Sequence, residues 1–94
     1  MRDARQLEAF RDLIAQSQRQ LVAFLEADLE LGFTFADLSK TERKLGNIEH
    51  AERSREHAIA AITTVRRFLE HVCGSESKNR FAGRVDELER ELAD

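Results

Sequence analysis

The sequence predicts an all-α protein, an antiparallel helical bundle of four helices, two long and two short. Three observations predict it. The 94 residues include no Pro and only four Gly, so few positions interrupt a helix. Ala, Leu, Glu and Arg, which lose little conformational freedom in a helix, are in large excess, and strand formers are scarce. Apolar residues recur at steps of three and four along most of the chain, the period of a helix with one buried face.

Helix 1 is expected over about residues 3–31. Leu7, Phe10, Ile14, Leu21, Leu25 and Leu29 form one stripe, flanked by Leu13, Phe24 and Leu31. Together the rows cover about 180°, against the ~100° of a helix that touches one neighbour, so helix 1 is expected to meet two partners. Gly32 supplies the left-handed residue that usually ends a helix. Helix 2, over about residues 35–45, starts from Thr34, with Asp37 as the acidic part of a loose capping box, and closes at Gly46.

Helix 3 is expected over about residues 48–73. Asn47 is its N-cap candidate, Glu49 and Glu52 lie near its positive end, and the seam Ala51, Arg55, Ala58, Ile62, Val65, Leu69, Val72 steps by four and three. Gly74 offers a C-terminal cap, and Ser75 or Ser77 a new N-cap. Helix 4 follows over about residues 77–92 with Phe81, Val85, Leu88 and Leu92 at heptad spacing. Gly83 costs it ~1 kcal/mol relative to Ala, so helix 4 depends on docking, either along helix 3 or on a second subunit. Residues 1–94 read as one helical domain.

The middle of the chain carries a further pattern. Phe35 and Leu38 occupy first-helix core positions, small Ser39 follows, Gly46-Asn47 forms a turn, and Ala51 and Ala58 are small and seven apart. From about Phe35 to Ala58 this resembles a single degenerate tetratricopeptide-repeat hairpin. Glu42 and Arg55 stand where that family prefers aromatics, Thr63 stands where it usually has a proline, and no second copy follows at a 34-residue offset. A lone hairpin cannot bury its own faces, so flanking helices or a second subunit must do so.

Charge and composition narrow the function. The formal net charge is −3, which argues against general adhesion to phosphate backbones or anionic lipid; neither nucleic acid nor a membrane is an expected partner. No apolar run approaches the ~20 residues of a membrane span. The start, Met-Arg-Asp-Ala-Arg-Gln, lacks the apolar stretch of a secretion signal, and Cys73 is the only cysteine, so a cytoplasmic setting is expected. A chain this short buries only about 60–65% of its unfolded surface, and pairing with a second copy is the natural remedy. A homodimer is expected.

Lys40, Arg43 and Lys44 cluster on helix 2. The resemblance implies that this face lines a concave groove for an acidic or carboxylate-ended protein segment, whereas a merely solvated face is the plainer reading. Arg55 interrupts the helix 3 seam, where it snorkels along its aliphatic stem or meets Glu42 or a partner carboxylate. His50 and His57 are seven residues apart, ~10.5 Å along a helix, too far to share one metal ion. Cys73 sits at the negative end of a helix, which disfavours a reactive thiolate. No phosphate loop or nucleophile motif is present. The expectation is a non-enzymatic protein–protein interaction module without a cofactor, one that self-associates and binds a partner segment through Lys40, Arg43, Lys44 and Arg55. The alternatives are a purely structural helical dimer and a small metal-binding helical protein.

Overall fold

The computed structural model describes residues 4–93, folded as three helices: α1 (Ala4–Lys44), α2 (Ile48–Leu69) and α3 (Ser75–Ala93). The all-α class stands, but the expected four-helix arrangement does not, because the two segments placed at 3–31 and 35–45 are one uninterrupted helix. Gly32 is not a terminator. A Cβ at Gly32 would lie 2.8 Å from Leu88 Cδ2 and 3.0 Å from Ala61 Cβ, so the missing side chain lets α1 approach α2 and α3 closely. Nor does Thr34 cap a helix: its hydroxyl donates to the Glu30 carbonyl at 3.0 Å, the back-bond of a mid-helix threonine.

The turn after α1 is a true stop. Gly46 has φ +83°, Asn47 N donates to Glu42 O at 2.9 Å, and Gly46 N donates to Arg43 O at 3.1 Å, a Schellman pattern that satisfies two orphan carbonyls. Asn47 occupies the N-cap position of α2 but makes no side-chain capping bond; its Nδ2 donates back to Glu42 Oε2 at 2.8 Å. The second turn is looser. α2 ends at Leu69, short of the expected residue 73, and Gly74, at φ +91°, accepts the first helical bond of α3 from Lys78 N at 3.1 Å.

The core lies where all three helices overlap. Leu25 and Leu29 of α1, Ala58 and Val65 of α2, and Phe81 and Leu88 of α3 are buried together, so the periodic seams of the last two helices are the faces that pack. Ser39 is buried and donates to the Ala51 carbonyl at 2.8 Å, a small-residue contact between the arms of the α1–α2 hairpin. The Gln18 side chain clamps the α2–α3 turn from both sides, donating to His71 O and accepting from Cys73 N, each at 2.9 Å.

N-terminal to Gln18, α1 runs on with residues 4–17 all exposed. The molecule measures 68 × 20 × 15 Å, close to the ~61 Å of a 41-residue helix at 1.5 Å per residue. Leu7, Phe10, Leu13 and Ile14 on this overhang are all about half exposed or more. The stripe assigned to one helix is therefore split: Leu25 and Leu29 are core, and its first half faces outward.

A cationic cleft where three helices converge

The last turns of α1 end beside the first turns of α2 and the last turn of α3. Between them lies a cleft of about 660 Å³, lined by Lys40, Arg43 and Lys44 from α1, Arg55 from α2, and Glu91 and Leu92 from α3. All four cations singled out in the sequence reach it. Their route differs from the expected one, because Leu38, expected at a core position, is 41% exposed. The packed face of α1 here is the line of Gly32, Ala36 and Ser39, and Lys40 flanks that line.

Each of three long side chains is held at the cleft by an identifiable contact. Lys40 Nζ meets Glu91 Oε2 at 2.5 Å, and Arg43 Nη2 donates to Glu52 Oε1 at 2.7 Å. Arg55, half-buried, donates to the Leu92 carbonyl at 3.4 Å, so it meets the end of α3 instead of Glu42. Glu91, Glu52 and Leu92 were not anticipated; only the packing of α3 and the first turn of α2 against α1 brings them here.

The electrostatics have two sources. The C-terminal ends of α1 and α3 both point into this region, and each carries about half a negative charge. Four cations around two such ends are stabilising for the helices themselves. Four formal positive charges against Glu91 and the Arg43-paired Glu52 nevertheless leave a cationic excess, and the Lys40 and Arg43 ion pairs are half-exposed, the class of contact that a competing carboxylate can exchange at little cost.

The remaining polar candidates are dispersed. His57 stacks on Phe35 with ring centroids 4.7 Å apart, His50 Nδ1 lies 2.9 Å from Arg53, and His71 is at 3.7 Å from Glu70. No three His, Cys, Asp or Glu among the described residues converge as a metal set. Cys73 is exposed. No described helix is long and apolar enough to cross a membrane. Comparison of the chain with family models, with curated proteins and with solved structures finds no match.

Proposed function

We propose that this chain is a non-enzymatic protein–protein interaction module that self-associates and holds an acidic segment of a partner protein in the Lys40/Arg43/Lys44/Arg55 cleft. The observation that carries partner binding is the convergence of those four side chains, from two helices, on one cleft of about 660 Å³. Carboxylates accept charge-assisted hydrogen bonds from such groups, and the helix ends beneath keep the cations in place. The outward apolar residues of α1 support self-association. A cytoplasmic setting belongs to the same proposal, supported by the lone Cys73 and the mixed surface charge.

The tetratricopeptide likeness of Phe35 to Ala58 is likewise a proposal. Gly46 in the left-handed region and the buried Ser39, Ala51 and Ala58 support it. The exposure of Leu38 departs from the family pattern.

A second reading, a purely structural role for the cations, is favoured by one specific observation: Lys40–Glu91 and Arg55–Leu92 O tie α3 to the other two helices. Fluorescence anisotropy with a glutamate-rich peptide separates the two. In the binding module, Arg43→Glu with Lys44→Glu abolishes peptide binding and leaves the helical signal unchanged. In a structural protein the parent chain binds no peptide, and Lys40→Glu lowers the melting temperature.

A further inference from the structure

Ten large apolar side chains are exposed among the described residues, and seven of them lie on α1. They are not scattered. Counting heptads from Leu7 as position a, every one of the seven falls on an a, d or g row. The d row is Phe10, Ser17, Phe24, Leu31, Leu38 and, one residue past the helix, Leu45. The a row is Leu7, Ile14, Leu21, Asp28, Phe35 and Glu42. Beside them the g row is Gln6, Leu13, Gln20, Ala27, Thr34 and Thr41. The d and g rows have no charge and the a row only Asp28 and Glu42, in a chain of which 35% is charged. A solvated face would not confine its charge to two positions over such a length.

We infer that two copies of this chain pair antiparallel along the outer face of α1, in the register that sets Ser17 of one copy opposite Asp28 of the other. The inference deepens the self-association reading above and rests on it. The sequence itself selects the register. When a residue and its opposite number add to 45, Leu7 faces Leu38 of the partner subunit, Ile14 faces Leu31 of the partner subunit, and Leu21 faces Phe24 of the partner subunit. Phe10 then meets Phe35 of the partner subunit, and the two polar interruptions, Ser17 and Asp28, meet each other.

Neighbouring registers do not share this match. A shift of one heptad in either direction sets Asp28 against Phe24 or Phe10. A parallel pair sets Asp28 against Asp28, like charges in an apolar seam. The chosen register also sets the half-buried Asp28 opposite a serine, a side chain whose hydroxyl can donate to a carboxylate, instead of opposite an apolar residue.

Area and shape agree. Each of the seven side chains exposes about half its surface, on the order of 100 Å², so two copies have more than the about 1,000 Å² that a stable interface requires. Antiparallel pairing covers the overhang of each copy with the half of α1 that carries the partner's α2 and α3, and the two three-helix bodies come to lie at opposite ends of the pair.

The test combines sedimentation equilibrium with cysteine cross-linking in a Cys73→Ser background. At high micromolar concentration the parent chain sediments at twice its chain mass, and Leu31→Lys sediments as a monomer with its helical signal retained. In a mixture of Leu7→Cys chains with Leu38→Cys chains, air oxidation links the two variants, whereas neither links to itself. A parent chain that is monomeric overturns self-association altogether. A dimer in which Leu7→Cys links to itself, or in which the mixture fails to link, keeps self-association and overturns this register. Should Leu31→Lys fail to fold, the cross-linking result still decides.

Discussion

Asp28 is the residue at which the inner and outer faces of α1 meet. It borders a hollow lined by Phe35, His57 and Thr64, and burial there raises its pKa from the ordinary 3.8, because desolvation disfavours the carboxylate. Between 3.8 and the raised folded value, the folded chain holds a proton that the unfolded chain has released, so stability falls as pH rises through that window and is level above it. Asp28→Asn is therefore expected to melt higher than its parent at neutral pH, with the difference vanishing below the ordinary carboxylate value. Melting curves across that range, taken on the Leu31→Lys variant so that Ser17 of a partner subunit does not enter, check it. A difference that grows on acidification contradicts the assignment. Sequence alone marked Lys40, Arg43, Lys44 and Arg55 as a cationic group, since the first three share a short segment and Arg55 breaks an apolar seam. What they meet was not legible: Glu91 and Leu92 lie far along the chain from Lys40 and Arg55, and only the angle at which α3 packs decides the contact.

At the scale of the helix, glycine has two opposite meanings, and Gly32 shows why sequence alone confuses them. A glycine after an apolar run reads as a terminator, yet the seven-residue spacing of Phe24, Leu31 and Leu38 passes through Gly32 unbroken, and that continuity was the available sign that α1 does not stop there. The α2 and α3 seams were legible because each carries a single dominant stripe; α1 carries two, and only the packing decides which one is core. Gly46 was legible for the converse reason, since the apolar rows of α1 end at Leu45. The two readings have measurable consequences. Gly32→Ala gains about 1 kcal/mol of helix propensity but drives a methyl into Leu88 and Ala61 in a filled core, where overpacking costs about 1–3 kcal/mol. The net effect expected is destabilisation, larger for Gly32→Val. A Cβ at Gly83, also mid-helix, would meet nothing within 4 Å, so Gly83→Ala is expected to stabilise by about 0.5–1 kcal/mol. Urea denaturation of both alanine variants checks the pair; equal shifts of the same sign would remove the close-packing account of Gly32.

The whole molecule is a three-helix body with a helix projecting from it, and the projection is the part that its own fold does not stabilise. Most helical stability in proteins comes from packing an apolar face, and an isolated helix of fewer than ~12–15 residues is marginal in water. Residues 4–17, all exposed, form such a length, joined to the body at Gln18, whose side chain clamps His71 and Cys73. Residues 21–44 instead pack on α2 and α3, with Leu25 and Leu29 in the core. Native-state amide exchange should therefore divide α1 in two. In the monomeric Leu31→Lys variant, amides of residues 4–17 exchange with little protection, while those around Leu25 and Leu29 open only with global unfolding. If two copies pair as proposed, both halves of the parent chain are protected, but by different means: the body by its own core, and the overhang by the second copy. Dilution then separates them, because mass action removes the second copy and leaves the core intact. Protection of residues 4–17 is expected to fall with concentration in step with the dimer fraction, while protection of residues 21–44 falls far less. Overhang protection that is independent of concentration would mean that α1 is held along its whole length by the single chain, and the outer face would then need no second copy.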